Sequence, residues 1–161
     1  MQGALLLSLL LVAPSLFGET PGRDTYIFSV PFSSNLQSDG GLAGDSRIPM
    51  ILMFSADDCP YCVVMESDHL VPLLRNSEYD GLVLIRKIHL GDTEKIVGFS
   101  GEKMTSAGVG SSYGVWLTPT LLFLDRKGVE IQQRIIGLGV RDFVNGEIDE
   151  SIMAAIEVLS E

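Results

Sequence analysis

The sequence is poor in cysteine and in positive charge. It has two cysteines in 161 residues, too few for a scaffold held by several disulfides. Its 11 basic residues are outnumbered by 21 acidic ones, so the positive surface of a nucleic-acid-binding protein is missing. Apolar residues make up 46% of the chain, which excludes intrinsic disorder. The length suits one domain with a real core.

Charged side chains are absent from the first 18 residues, where Leu5–Val12 is an apolar run interrupted only by Ser8. This run has the length of a signal-peptide core, and the whole stretch is shorter than a membrane span of about 20 residues. We predict a signal peptide over residues 1–18, cleaved after Ser15 or Gly18, and a periplasmic or otherwise exported protein. The usual basic start is absent, so an uncleaved anchor or a start codon assigned too far downstream stays open.

Residues 19–48 are rich in Ser, Gly and Asp and are predicted as an N-terminal lead-in to a domain over residues 49–161. Within the lead-in, Tyr26–Val30 is a candidate short strand. The glycine-containing segments Asp39–Gly41 and Gly44–Asp45 are predicted as turns.

Strands and helices alternate after residue 49. Continuous apolar runs predict buried strands, and apolar residues at helical spacing predict helices. The expected elements are a strand at Met50–Phe54, a helix from Pro60 to about Asn76 kinked at Pro72, a strand at Leu82–Leu90, a short helix at Ser106–Tyr113 within a glycine-rich loop, a strand at Thr120–Leu124, an outer strand at Val129–Ile136 and a closing helix from Val140 to Leu159. This order predicts an α/β fold with a central mixed β-sheet flanked by helices on both faces.

Both cysteines lie at a predicted junction between a strand and a helix, in the tetrapeptide Cys59-Pro60-Tyr61-Cys62. Cys59 precedes the first helical turn, where unpaired backbone N–H groups and the helix dipole favour a thiolate. Cys62 is one turn further on, on the same side of the helix, and can attack a mixed disulfide held on Cys59. We therefore predict Cys59 as the attacking thiol and Cys62 as the resolving thiol of a redox centre that needs no cofactor and no metal.

Three other uses of the cysteine pair stay open. A structural disulfide is one, although closing so short a loop constrains the unfolded chain little. A zinc site is another, although zinc needs four ligands and His69 and His89 lack the spacing of zinc-finger ligands. A copper(I) site supported by methionines is the third. The position at a helix start favours redox chemistry over all three.

Two segments, in order along the chain, resemble the thioredoxin-fold superfamily. Phe54–Cys62 is similar to the active-site stretch of that family, and its Cys-Pro-Tyr-Cys tetrapeptide is the one common in glutaredoxins. Tyr113–Asp125 is similar to the segment that carries the family's cis-proline. Farther along the chain, Arg134–Gly137 followed by a predicted helix is similar to the family's last strand and closing helix. The resemblance covers about residues 48–159 and implies a three-layer thioredoxin-like fold. It extends to exported bacterial thioredoxin-like proteins, including the periplasmic type found in sulfur-oxidation gene clusters.

The resemblance also implies a binding surface for substrate. Pro119 matches the family's cis-proline, which lies beside the active cysteines, and Thr118 would present backbone groups to an extended substrate peptide. Pro60 and Tyr61, between the cysteines, are expected to contact substrate as well. The alternative for Pro119 is an ordinary trans proline that begins a strand.

The chain departs from the family pattern near the first cysteine. Met53 stands where many thioredoxins have a buried aspartate that relays protons, and Asp58 replaces the common tryptophan. Carboxylates at Asp57 and Asp58 would raise the pKa of the Cys59 thiol and make the pair more reducing. If both point into solvent, they are screened and have no such effect.

These features predict an extracytoplasmic thiol–disulfide oxidoreductase that reduces protein disulfides. Its expected partners are disulfide-containing proteins and a membrane electron donor, which a reductase outside the cytoplasm needs for recharging. We expect no nucleic-acid partner, and we expect the protein to be a monomer. The alternative is a protein that is not an enzyme, namely a binding module or copper(I) carrier with the same fold. Because the tetrapeptide is common in glutaredoxins, a glutathione-dependent enzyme also stays open.

Overall fold

The computed structural model describes residues 28–140 and 143–161. The predicted signal peptide at residues 1–18 and the lead-in as far as residue 27 lie outside these ranges. The elements in chain order are α1 (Leu36–Ser46), β1 (Met50–Ser55), α2 (Pro60–Val64), a π-helical segment (Met65–Leu70), α3 (Val71–Arg75), a 3₁₀ turn (Ser77–Tyr79), β2 (Leu84–His89), β3 (Lys95–Val97), β4 (Lys103–Thr105), α4 (Ser106–Ser112), β5 (Thr120–Leu124), β6 (Glu130–Ile136) and α5 (Val144–Ser160).

The central sheet has four strands in the order β2-β1-β5-β6. Strand β1 runs parallel to β2 and antiparallel to β5, and β6 is antiparallel to β5 at the outside. The sheet is therefore mixed, as the order of predicted elements indicated. Strands β3 and β4 form a separate hairpin.

Side chains of β1 alternate between two hydrophobic clusters, one on each face of the sheet, because successive residues of a strand point to opposite sides. Ile51 and Met53 pack with residues of α2, the π-helical segment and α5. Leu52 and Phe54 pack with residues of α1 and α4. All six residues of β1 are buried. The predicted α/β architecture of three layers, a central mixed sheet with helices on both faces, is confirmed.

A helix replaces the turns predicted at Asp39–Gly41 and Gly44–Asp45, so that prediction was wrong. The side chain of Asn35 caps α1 by accepting a hydrogen bond from the Ser38 N–H. Gly40 lies so close to the carbonyl oxygen of Arg126 that a Cβ at this position would collide with it. The glycine allows the helix to approach the turn between β5 and β6, and this long-range contact outweighs the poor helix propensity of glycine.

The strand predicted at Tyr26–Val30 is not formed by its described residues, 28–30. Strand-like pairing occurs instead two residues later, where Phe32 forms an isolated bridge with Lys87 of β2. The Ser33 N–H donates to the Lys87 carbonyl, and the Lys87 N–H donates to the Pro31 carbonyl, both at 2.9 Å. The lead-in therefore runs along the outer edge of β2.

Three further features of the secondary structure differ from the prediction. The helix expected from Pro60 to Asn76 widens into the π-helical segment just before Pro72, where a kink was expected. The loop before α4 contains the hairpin of β3 and β4. Helix α5 begins at Val144 rather than Val140. Within residues 28–140 and 143–161, no helix has the length and apolar character that crossing a membrane requires.

Candidate redox site

Cys59 and Cys62 form a disulfide at the start of α2, with their Cα atoms 5.2 Å apart. Strand β1 ends at Ser55, and a turn at Asp57 and Asp58 leads to Cys59, which is the N-cap residue of α2. Pro60 is the first residue of the helix, where its missing N–H costs no hydrogen bond. The junction predicted from the sequence is confirmed.

Two donors converge on the sulfur of Cys59. The backbone N–H of Cys62 donates to Cys59 Sγ at 3.2 Å, and the hydroxyl of Thr118 donates to the same atom at 3.5 Å. A hydrogen bond to the charged form of a group stabilises that form. After reduction, both donors favour a thiolate on Cys59, which is the nucleophilic state.

The two cysteines differ in their access to solvent. Cys62 is 5% exposed and belongs to the same buried cluster as Met53 and Met65, whereas Cys59 is only partly buried and packs at the border of that cluster. A substrate disulfide therefore reaches Cys59 more easily than Cys62. This difference agrees with Cys59 as the attacking thiol and Cys62 as the resolving thiol.

Thr118 and Pro119 lie beside the disulfide, and the peptide bond between them is cis. Pro119 is buried immediately before β5, and the two residues before Thr118, Trp116 and Leu117, are exposed. The structure thus brings together Cys59, Thr118 and Pro119 from distant parts of the chain. Their roles in binding substrate stay predictions.

Tyr61 lies on another side of the helix start and is 63% exposed. With Pro60 and Val64 it lines a shallow cavity of about 350 Å³, which is closed on its far side by Leu138 and Gly139. The predicted site residues therefore surround the disulfide rather than lining a single pocket.

An open cavity of about 560 Å³ adjoins the disulfide on the side of β2. Its lining combines both cysteines with apolar and charged side chains: Phe32, Ser55, Ala56, Asp57, Asp58, Cys59, Pro60, Cys62, Val63, Glu66, Lys87 and His89. The aromatic ring in this wall comes from the lead-in, which therefore contributes to the site.

Glu66 and Lys87 form an ion pair in this cavity that was missed in the sequence. Lys87 Nζ lies 2.7 Å and 2.8 Å from the two carboxylate oxygens of Glu66, and the Val30 N–H donates to Oε1 at 2.8 Å. Lys87 is only 8% exposed. The sequence did contain a sign of this pair. Lys87 lies on the same face as the apolar residues Val83 and Ile85, and a lysine buried on such a face needs an acidic partner.

The two aspartates before Cys59 point outward. The Asp57 side chain is 83% exposed, and its Oδ1 lies 3.3 Å from Nε2 of His89. Asp58 is also exposed and has a φ of 50°, in the left-handed region that aspartate tolerates better than most residues. Their predicted influence on Cys59 therefore has to act through solvent.

Metal ligands are not clustered in the part of the chain that the structure describes. Among those residues, no group of three or more His, Cys, Asp or Glu side chains is arranged to hold a metal ion. His69 is buried, and its Nδ1 lies 2.7 Å from Oδ1 of Asn145. His89 lies between Asp57 and Asp92 instead.

A disulfide at a helix start, facing a cis-proline at the edge of a mixed sheet, defines a thiol–disulfide redox protein of the thioredoxin fold. The chain belongs to the family of thioredoxin-like domains, because the model of that family matches residues 41–141. Its Cys59–Cys62 pair indicates thiol–disulfide oxidoreductase activity. No protein with a curated description matches the chain.

Solved structures with the same fold come from distant organisms. Thioredoxin O2 from Arabidopsis thaliana aligns with a TM-score of 0.53 at 19% identity, over 76% of this chain and 95% of that one. Malassezia sympodialis thioredoxin aligns with a TM-score of 0.55 at 16% identity, over 80% and 91%. A thioredoxin-like protein from Clostridium perfringens aligns with a TM-score of 0.52 at 23% identity, over 86% and 91%. At these identities the likeness shows the fold alone.

Proposed function

We propose that the protein is an extracytoplasmic reductase of protein disulfides. The observation that carries the proposal is the environment of Cys59 Sγ, which is partly exposed and receives hydrogen bonds from the Cys62 N–H and the Thr118 hydroxyl. These donors stabilise a thiolate at the one sulfur of the pair that a protein substrate reaches.

The reaction proceeds in two exchanges. The Cys59 thiolate attacks one sulfur of the substrate disulfide, which forms a mixed disulfide and releases the other substrate sulfur as a thiolate. Cys62 then loses its proton and attacks Cys59 Sγ, which breaks the mixed disulfide and releases the second substrate sulfur. Two electrons pass from the dithiol to the substrate, whose sulfurs take up protons, and the Cys59–Cys62 disulfide remains.

Exposed apolar side chains around Cys59 suit a partly unfolded protein substrate. Tyr61, Val63, Trp116 and Leu117 are all exposed, and Trp116 is 78% exposed. An extended segment of the substrate would bind along Thr118 and Pro119 by backbone hydrogen bonds, in the manner of strand addition. Pro60 and Tyr61 would contact the substrate from the other side of the disulfide.

Export and recharging complete the proposal. The uncharged apolar start of the sequence supports a signal peptide, and the motifs resemble periplasmic proteins of sulfur-oxidation gene clusters. Each turnover leaves the enzyme oxidised, so a membrane protein would supply two electrons to the Cys59–Cys62 disulfide. N-terminal sequencing of the protein recovered from the exported fraction tests the location, and an unprocessed protein in the cytoplasm would contradict it.

Insulin reduction with dithiothreitol as electron source tests the activity. We expect the wild type to accelerate the precipitation of insulin B chains and Cys59→Ser to abolish the acceleration. Reduced Cys62→Ser, mixed with insulin after removal of dithiothreitol, should accumulate a mixed disulfide that separates on a non-reducing gel. Binding of a partner that survives Cys59→Ser, or stoichiometric copper(I) binding without turnover, would favour the binding or copper-carrier module instead.

The redox potential decides the direction of electron flow. A potential near about −270 mV, the thioredoxin range, supports a reductase, and one near about −120 mV indicates an oxidase. Equilibration of the Cys59–Cys62 pair with glutathione or dithiothreitol buffers, followed by alkylation of the free thiols, measures it.

A further inference from the structure

Glu66 lies in the same helix as the resolving cysteine and in the same cavity. It follows Cys62 by four residues, so the two positions are neighbours on one face of the helix. Helical side chains lean toward the N-terminus, which directs Glu66 toward the turn that carries Cys62. Both side chains line the open cavity of about 560 Å³.

The carboxylate of Glu66 is held in a fixed orientation. Lys87 donates to both of its oxygens, and the Val30 N–H donates to Oε1. An ionised carboxylate has about four acceptor positions, so these three hydrogen bonds leave capacity for about one more donor. The cavity is open and large enough for several water molecules, which can carry a proton from a neighbouring thiol.

A buried ion pair is by itself weak evidence for a role in stability. Replacing a buried ion pair by apolar side chains of similar volume is often neutral or stabilising, because burial removes both charges from water. The neighbouring position in β1, paired with Lys87, is the fully buried Met53, so the strand supplies no acid here. Asp57 and Asp58, which also line the cavity, are exposed.

We propose that Glu66 accepts the proton that Cys62 loses when it resolves the mixed disulfide, and that Lys87 and the Val30 N–H position its carboxylate. The proposal rests on the dithiol activity proposed above. The S–H bond of Cys62 breaks and its proton passes to Glu66, directly or through one water. The sulfur attacks Cys59 Sγ, the mixed disulfide breaks, the substrate leaves as a thiolate that is protonated from solvent, and Glu66 returns its proton to solvent.

Single turnover with 5,5′-dithiobis(2-nitrobenzoate) separates the two exchanges. Attack by Cys59 releases one coloured thiolate, and attack by Cys62 on the mixed disulfide releases the second. Cys62→Ser should therefore release only the first. For Glu66→Gln we expect the second phase to slow about 100-fold near neutral pH, within the range of general acid–base catalysis, while the first phase changes less than about twofold.

The pH dependence distinguishes proton transfer from a structural effect. In Glu66→Gln the second phase should increase steadily with pH as hydroxide takes over deprotonation, and it should depend on pH more steeply than in the wild type. Glu66→Asp, which keeps a carboxylate, should recover most of the second phase. Glu157→Gln, an exposed carboxylate of α5, is the matched control and should leave both phases as in the wild type.

Each result decides the proposal. A second phase in Glu66→Gln with the wild-type rate and pH profile overturns the role of Glu66 and leaves the reductase intact. A wild type without either phase overturns the dithiol activity itself. If Glu66→Gln does not fold by circular dichroism, the double variant Glu66→Met/Lys87→Met replaces the pair by apolar volume. It should show a normal first phase and a slow second phase, and a fast second phase there also overturns the proposal.

Discussion

The hydroxyl of Thr118 lies 3.5 Å from the sulfur of Cys59 and donates a hydrogen bond to it. The two residues are 59 positions apart in the chain. Their contact joins the segment before β5 to the start of α2. The sulfur of Cys59 therefore receives hydrogen bonds from two segments that are far apart in the sequence.

Removing the Thr118 hydroxyl should make the thiolate form of Cys59 less stable. Thr118→Val keeps the shape of the side chain and removes the donor, so we expect the pKa of the Cys59 thiol to rise by about half a unit to one unit, the equivalent of about 1 kcal/mol. The pH dependence of alkylation by iodoacetamide measures this pKa. Thr118→Ser, which keeps the hydroxyl, should resemble the wild type. If Thr118→Val and the wild type showed the same pH dependence of alkylation, the hydroxyl of Thr118 would have no effect on the reduced sulfur of Cys59.

Asp58→Asn should make the pair slightly more oxidising. A negative charge near Cys59 destabilises the thiolate and hence the reduced form, so its removal stabilises that form and moves the potential to a less negative value. Because the carboxylate is exposed and screened, we expect about 10–20 mV, measured against glutathione buffers. Asp57→Asn is the companion variant, and the shift should vanish in about 1 M salt. No shift at low salt would show that the charge of Asp58 has no effect on the redox pair.

Two adjacent glycines of α1 should respond to alanine in opposite ways. A Cβ on Gly40 would collide with the Arg126 carbonyl, whereas a Cβ on Gly41 meets nothing within 4 Å. We expect Gly40→Ala to lower the free energy of unfolding by about 1–3 kcal/mol, because the helix must shift. Gly41→Ala should raise it by about 0.5–1 kcal/mol through helix propensity. Urea unfolding measures both, and equal effects would mean that α1 does not pack against the turn as described.

Tyr113 should make the fold less stable in strong alkali. Burial of its ring, with Glu130 and Asp125 nearby, raises the pKa of its hydroxyl from 10.0 to about 12. Between these values the unfolded chain loses the proton first, so the contribution of Tyr113 to stability is complete below pH 10 and is lost as the pH rises toward 12.

Tyr113→Phe isolates this contribution from the other groups that titrate in alkali. At about pH 8 the variant should be less stable by about 1 kcal/mol, because the hydroxyl no longer donates to the Gly128 carbonyl at 2.7 Å. On going to about pH 11.5 the wild type should lose about 1–2 kcal/mol relative to the variant, a range that allows for the half-buried ring, so its advantage should vanish or change sign. Urea unfolding at the two pH values measures the difference, and a constant difference would contradict the raised pKa.

Local patterns were enough to predict the redox centre and the central strands. The cysteine tetrapeptide carries its own geometry, because a spacing of three residues at a helix start places both sulfurs on one side. Strand β5 was predicted with its observed bounds, Thr120–Leu124, because Thr120 and four apolar residues lie between a proline and a charged turn, and this pattern is typical of a buried strand.

Features that depend on distant contacts were missed. Helix α1 contains three glycines, and the close approach of Arg126 to two of them, Gly40 and Gly44, explains why glycine suits the helix at those positions. The hairpin of β3 and β4 has strands of three residues, which are too short to show an alternating pattern. Glu66 and Lys87 are 21 positions apart, so no local spacing links them. Each of these features depends on contacts that only the complete fold supplies.

The pairing of Pro31 and Ser33 with Lys87 also affects how copies of the chain meet in solution. An uncovered edge strand presents free N–H and C=O groups to another molecule and is a common starting point for aggregation. Here the lead-in occupies those groups of Lys87 in the middle of the outer edge of β2. A chain shortened to begin at Asn35 would uncover this edge near the partly buried Cys59. The lead-in therefore covers the middle of an edge strand and occupies backbone groups through which two copies of the sheet could otherwise pair.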